Sequence, residues 1–362
     1  MPFAASLFLM SVLAVVITAV TGGLLWWSLG RPALPTAAAL TPRDVLDLSK
    51  LSLAVTAGTG GIVALVVAYR RQRFHELESQ REHIKLCNER FGRAADQLGS
   101  DRPAVRLAGI HAFSGLADDW PAGRQTCVDV LCAYLRMPYP GNNQRSNADD
   151  GGAMDPADAR EDAEERQIRQ SVIRLVGSHL RADAPISWQG LDFDLTGAVL
   201  DGGDLSGAQF TSGRVSFQDA TFVGSKFTFQ DARFSGGKVL FDSVHLVAGE
   251  ISFGGAQFCG AQVYFSGAHF DGSAVSFVGA RLTGGKVHLN AGFHRGSVTF
   301  ALAEFRGTEV TFEGARFSGA TVDLATPRAY DLPPRFDNWG KGIPDGLLLP
   351  PSQQLSRDAT IR

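Results

Sequence analysis

Few residues of this chain are of types that do chemistry, and their spacing is unhelpful for it. Imidazoles and carboxylates shuttle protons or hold metals. The last third carries His245, His269, His288 and His294, with Asp192, Asp194, Asp201, Asp204, Asp219 and Asp231 before or among them. Each histidine stands beside a large apolar residue, so alternation turns it outward, at positions that read as non-equivalent surface sites. The aspartates read as a solvated acidic face, and no partner base or metal spacing accompanies them. Cys127 and Cys132 lie five apart, wider than the close pair of a zinc knuckle. With Cys87 and Cys259 they fit small apolar thiols in a reducing compartment. Gly58-Thr59-Gly60-Gly61 fails as a phosphate loop, because Val63 takes the third glycine position and apolar residues flank it. The sequence contains no HExxH, P-loop, GxSxG or kinase signature. The net charge of −3 implies no strong polyelectrolyte partner. The expectation is a chain without catalytic residues, metal or cofactor, and not an enzyme.

The element that positions these residues is a repeat. A large apolar residue recurs every twelve positions at Phe210, Phe222, Phe234, Leu246, Phe258, Phe270 and Leu282. After a one-residue slip it resumes at Phe293, Phe305 and Phe317. A small residue sits two before nearly every one, as in Ala208, Ala220 and Ala232. A second apolar pair follows, as in Val239/Phe241 and Val263/Phe265, both facing one side of a strand. Upstream, Leu195, Leu200, Leu205 and Phe210 are spaced by five. Fixed-period self-similarity means a solenoid. Its predicted inward ladder includes Leu195, Leu200, Leu205, Phe210, Phe222, Phe234, Phe258, Phe270, Phe305 and Phe317. Each buried rung contributes roughly 1.5–3 kcal/mol. Two twelve-residue units are read as one long coil, with coils stacked as parallel strands about 4.8 Å apart. The glycine two after each rung (Gly224, Gly236, Gly260, Gly272) reads as a corner needing unusual backbone angles. The slip between Leu289 and Ala291 predicts a kink or a tightened corner.

The segment LTGAV-LDGGD-LSGAQF resembles the pentapeptide-repeat family, whose motif is A(D/N)Lxx. The resemblance implies a right-handed parallel β-helix with the central Leu or Phe and the preceding small residue inside. Asp194 and Asp204 match the polar position before the centre, whereas Val199 and Gln209 do not. The stretch from Phe91 through Ser100, followed by Val105-Arg106-Leu107-Ala108-Gly109-Ile110, resembles actinobacterial membrane-anchored pentapeptide-repeat proteins. In those, two membrane helices come first and the repeats last. The likeness implies an architecture and no chemistry. Some pentapeptide-repeat proteins mimic a DNA duplex and bind topoisomerases.

Toward the N-terminus, residues 2–30 and 51–69 carry no charge and are long enough to span a bilayer. Trp26 and Trp27 suit a headgroup zone, and Arg70, Arg71 and Arg73 point to the cytoplasmic side. The small residues Ala54, Ala57, Gly58 and Gly61 suit close helix packing in lipid. A charged helix follows, with Leu77, Ile84, Phe91 and Leu98 seven apart and Phe74, Arg81, Asn88 and Ala95 beside them. It reads as an amphipathic helix docking on its neighbours, or as a short coiled coil with Asn88 fixing register. Ser100 is the expected cap of the next helix, lined by Val105, Ala108, Ala112, Phe113 and Leu116. The helix after it uses Val128, Leu131 and Leu135, so the two form a HEAT-like hairpin.

The fold class expected is therefore a membrane-anchored α + β-solenoid: two N-terminal transmembrane helices, a helical hairpin domain and a right-handed parallel β-helix. The boundaries are 1–69 for the membrane helices with a short outer loop and 70–140 for the cytoplasmic helical region. A flexible acidic linker takes 141–165, a capping helix 166–189, the β-helix 190–326 and an irregular tail 327–362. Leu347-Leu348-Leu349 either folds over the last coil or is loose. The expected localisation is the plasma membrane, multi-pass, with both termini and the repeat in the cytoplasm. The expected function is a membrane-tethered scaffold presenting a surface for protein–protein interaction. The alternative is a nucleic-acid-mimicking inhibitor or protector of a DNA topoisomerase. The partners are a lipid bilayer and an unknown protein, with no nucleic acid. Residues 74–98 or the membrane helices are the candidates to join two copies.

Overall fold

The computed structural model describes residues 12, 15–16, 19–20, 27, 42–138, 156–339 and 342–351. Two compact units divide the chain, Met1–Leu86 and Cys87–Arg362. Helix α1 (Pro42–Leu98) supplies most of what is described of the first. Residues 2–30, expected to span a membrane, lie almost wholly outside the described residues. Residues 51–69 are helical, but among the described residues no helix is long and apolar enough to cross a membrane. The two spans expected from charge-free stretches are thus not part of the architecture shown.

In the second unit, α1 ends on a turn that buries Cys87, Ala94 and Leu98. The Phe91 ring meets Phe113 edge-on at 5.1 Å. This end docks on its own neighbours, whereas Phe74 and Ile84, farther up the same heptad pattern, are exposed. Helix α2 (Pro103–Asp119) packs on α3 (Arg124–Arg136) and α4 (Pro156–Leu180). Its buried side is Ile110, Phe113, Leu116 and Ala117. The stripe expected through Val105 and Ala108 is rotated off the core, because α2 presents Gly109 to the backbone of Leu98, too close for any side chain. Ser100 does not cap α2: its N-cap is Arg102, and Ser100 Oγ accepts the Arg102 N–H instead. Helix α4 begins within the stretch expected to be a flexible acidic linker; most of the rest, 141–155, lies outside the described residues.

Helix α4 covers the open end of the solenoid. Gly177 lies against the Asp204 carbonyl, and Ile173 reaches Gly203. Gln170 donates to the Asp201 carbonyl at 2.7 Å. Helix α3 adds Gln125, which exchanges two hydrogen bonds with the Asp192 backbone at 2.8 and 3.0 Å. A first turn left bare would expose both core and strand edges, so these helices complete the column.

The solenoid winds about six turns of parallel strand between Phe193 and Leu348. Its walls are a ten-stranded and an eleven-stranded sheet. Phe210 pairs with Phe234, Phe234 with Phe258 and Phe258 with Leu282, so one turn consumes two twelve-residue units. Inside, rings stack from turn to turn. Phe217, Phe241 and Phe265 lie 4.9 and 4.6 Å apart with planes within 4°. Phe229, Phe253, Phe277 and Phe300 make a second stack at 4.8, 4.7 and 4.6 Å. The strand spacing of the sheets sets this distance, and offset aromatic stacking favours it.

The corners correct two expectations. The residue before a repeat alanine takes the left-handed backbone, except at Asn290 beside the slip. It is usually glycine, but Asp219, Asp231, Ser243 and Leu302 occupy it at φ between 53° and 59°. Of the glycines two after a rung, Gly224 and Gly272 take the expected positive φ, whereas Gly236 and Gly260 serve a different need. At Gly260, a Cβ would stand 2.4 Å from the Ser235 carbonyl oxygen of the turn below, so the turns can stack only without one. The slip near residue 290 tightens a corner: Ala291 N–H donates to Leu289 O, whereas Ala268 N–H reaches three residues back to Phe265 O. In the tail 327–362, expected to be irregular, the described residues 327–339 and 342–351 extend the solenoid. Tyr330 pairs in register with Phe305, Leu347 with Val322, and Phe336 stacks on Phe312 at 5.0 Å. Leu347 and Leu349 are buried.

Candidate interaction surface

The inward ladder is structural. Leu195, Leu200, Leu205, Phe210, Phe222, Phe234, Phe258, Phe270 and Phe305 are buried, while Phe317 is half-buried with the Trp339 ring edge-on at 5.9 Å. A strand that buries alternate residues sends the others out, and equal turns place those outward residues in columns.

On the eleven-stranded sheet, His245 and His269 are in register, their rings stacked at 4.9 Å and 5°. His294 joins at 5.9 Å from His269, and its Nδ1 lies 2.8 Å from Ser318 Oγ. Three histidines that the spacing scattered therefore form one column, and His288 lies on the other sheet, stacked on Tyr264 at 4.9 Å. Parallel rings this far apart are poorly placed to share an ion at about 2 Å from each nitrogen. Among the described residues no group of three or more His, Cys, Asp or Glu could hold a metal. A second column on this sheet runs Asp204, Thr228, Ser252, Ser276, Thr299 and Asp323. Thr228 and Ser252 accept the backbone N–H two residues on, at 3.0 and 3.3 Å, so these hydroxyls fasten turns.

The ten-stranded sheet carries cations. Gln209, Arg233, Gln257, Arg281 and Glu304 form one column. Arg214, Lys238, Gln262, Lys286 and Glu309 form another. Lys286 pairs with Glu309 at 3.2 Å, and Arg214 with the neutral Gln218 at 2.8 Å. Arg233 touches Gln257 at 3.4 Å. Among the described residues, Arg214, Arg233, Lys238 and Arg281 have no carboxylate within ion-pair distance. Sequence reading missed these columns; the signal that finds them is recurrence after four units, Arg233 to Arg281 and Lys238 to Lys286.

The early aspartates, expected to be a solvated face, are mostly joints. Asp194 and Asp204 accept the N–H groups of Thr196 and Ser206 at 3.1 and 2.8 Å. Burial pulls both carboxyls upward, but the hydrogen bonds from Thr196 and Ser206 and nearby guanidiniums outweigh it and hold them below the usual range. Asp194 also receives Arg136 of α3. Asp201 is buried, 2.9 Å from Arg166 of α4, and accepts Ser225 N–H at 3.0 Å.

The helices carry a polar hub. Glu165 receives the Tyr134 hydroxyl on both oxygens at 2.9 Å, Arg169 Nε at 3.0 Å and Arg106 Nη2 at 3.2 Å. Arg169 also donates to the carbonyls of Leu135 and Met137, at 2.8 and 2.6 Å. Burial first, then the Glu165 carboxylate, push the Tyr134 phenol far up. A cavity of about 460 Å³ opens beside this hub. Its arginines are bonded to protein, so the hub fastens α2, α3 and α4 together. Beyond it, Asp118 accepts Trp188 Nε1–H at 2.9 Å and lies 3.2 Å from His179 Nε2. His179 stacks on the buried Trp188 at 4.0 Å, with Nδ1 2.8 Å from the Leu175 carbonyl. Both imidazole nitrogens are occupied, so this His–Asp pair ties α2 and α4 to the segment leading into the solenoid. Burial pushes the Cys127 thiol up to about 11 and the Cys132 thiol up to about 12, which makes them inert packing groups.

No protein-family model matches the chain, and no curated protein or solved structure is similar to it. The pentapeptide and actinobacterial likeness gains nothing from these comparisons, and what stands is a helix-capped β-solenoid of parallel repeats.

Proposed function

We propose that this protein is a non-enzymatic scaffold, tethered to the plasma membrane and holding its solenoid in the cytoplasm for another protein to dock on. The observation that carries the reading is the division of labour in each turn. Inward positions build a stacked core, and outward positions repeat in registered columns along two parallel-sheet walls. Such a surface is rigid before binding, which lowers the ordering cost of association. The tether rests on the charge-free stretches 2–30 and 51–69 and on Arg70, Arg71 and Arg73 at the end of the second. Phe74 and Ile84 are exposed while Cys87, Ala94 and Leu98 are packed within the chain, so of the 74–98 segment the part up to Leu86 is proposed to join two copies. Mimicry of nucleic acid is the weaker reading, because one wall bears cations where a mimic needs acids.

Proximity labelling from the repeat end, compared with a chain reduced to residues 1–69, tests the scaffold. Recovery of one set of cytoplasmic proteins with the full chain alone is expected. Identical sets from both chains would sink it. Extraction of the chain from membranes by carbonate would sink the tether separately.

A further inference from the structure

We infer that the ten-stranded wall is the docking face, and that it takes a protein surface studded with carboxylates. This rests on the scaffold reading and names the chemistry of its partner. Between the registers of Arg214 and Lys286, the outward strand positions of this wall hold Arg214, Arg233, Lys238, Arg281 and Lys286 and no acid. All five are exposed. Like charges repeat along this wall; acids offset them only at its two ends, Asp194 one turn below the strand of Arg214 and Glu304 and Glu309 one turn above Arg281 and Lys286, which leaves Arg233 and Lys238 without an acid in the adjacent turns of the face. The opposite sheet is different: there Lys226 is neutralised by Glu250 at 2.7 Å, Arg295 lies in register with Asp271, and no column of the described residues repeats a cation.

The arrangement selects discrete carboxylates over a polyphosphate. Gln257 separates Arg233 from Arg281, and Gln262 separates the adjacent pair Arg214 and Lys238 from Lys286, so Arg233 and Arg281, like Lys238 and Lys286, stand two turns or about 10 Å apart. That matches acidic residues two helical turns apart on a partner helix, about 10.5 Å. Acids also line both edges. Asp219 and Asp242 sit at the corner that follows the wall, and Asp231 at the corner that precedes it. A continuous polyanion or an anionic bilayer would meet those carboxylates, whereas a protein with localised acids meets only the cations between them. The stacked Tyr264 and His288 rings on the same wall offer a flat contact patch at its centre.

The test is binding of a fluorescent alanine-based helical peptide of about 20 residues with glutamates seven apart to the purified full chain in neutral detergent, read by anisotropy at low and physiological salt. Binding that weakens with salt is expected, and at least tenfold loss in the R233Q/K238Q/R281Q variant. Arg233→Lys with Arg281→Lys should keep the affinity, and R295Q/R316Q on the opposite sheet should leave it unchanged. The single Lys238→Glu variant should lose binding with its sheet circular dichroism intact, which separates loss of the face from loss of the fold. No binding, or equal loss on both sheets, overturns the inference. Tighter binding of duplex DNA or phosphatidylserine vesicles through the same residues also overturns it, in favour of a phosphate surface. These readouts use no cellular partner, so their failure leaves the scaffold reading to the labelling experiment.

Discussion

The helical part of the second unit and its solenoid are held together by different physics. The helices converge on Glu165, where Tyr134, Arg106 and Arg169 spend their hydrogen bonds on one carboxylate and on the carbonyls of Leu135 and Met137. The solenoid spends almost nothing polar inside. It stacks rings at strand spacing and sends polar groups to the outer columns and corners. A polar hub is specific in geometry but fragile, because removing one member strands the rest. An aromatic ladder tolerates local error, since each turn is braced by its neighbours.

The largest expected effect breaks the ladder. Phe253 is buried and stacked on both Phe229 and Phe277. Phe253→Ala should cost about 3–5 kcal/mol, read as a lower denaturation midpoint by sheet circular dichroism. A change under 1 kcal/mol would mean the stack is not the source of stability. Next is the hub. Glu165→Ala leaves Arg169, whose side chain is 7% exposed, without its carboxylate. A loss of about 2–4 kcal/mol is expected, appearing first in the helical signal. Loss of both signals together would show that hub and ladder unfold as one.

Smaller effects sharpen the picture at the corners and the junction. Leu302 is exposed and holds φ 59°, where most other corners use glycine or a short polar residue. Leu302→Gly should raise stability by up to about 1 kcal/mol, and a destabilised variant would show that its side chain packs. The smallest concerns acid. Asp194 and Asp204 are depressed in the folded chain, so their contribution is present above the usual carboxylate range. It is lost as pH falls through the lowered folded values. Melting temperature should therefore drop on acidification, less so in Asp204→Asn, and equal pH profiles would remove these joints from the account.

Much of the column was legible because inward positions admit few residue types. Phe, Leu, Val and Ala recur at fixed intervals since the stacked interior demands them. The columns outside went unread although two units read as one coil already set His245 one turn from His269 and Arg233 two turns from Arg281. Outward positions admit many residue types, so they carry no period of their own to prompt the comparison. The final turn escaped notice for another reason. Its rungs are Tyr330, Phe336 and Trp339, in a stretch where prolines break the period. The hub was invisible because Arg106, Tyr134 and Glu165 meet only when three helices pack.

The two-residue strands that finish the column, Ala329–Tyr330 and Leu347–Leu348, have a consequence for solubility. With α4 over the opposite end, neither terminus offers a long flat row of free amides to another copy. Short final strands and the α4 cap disfavour the addition of further turns. A chain cut before Ala329 would lose that stop, and fibre growth from its bare last turn is the hazard the final residues prevent.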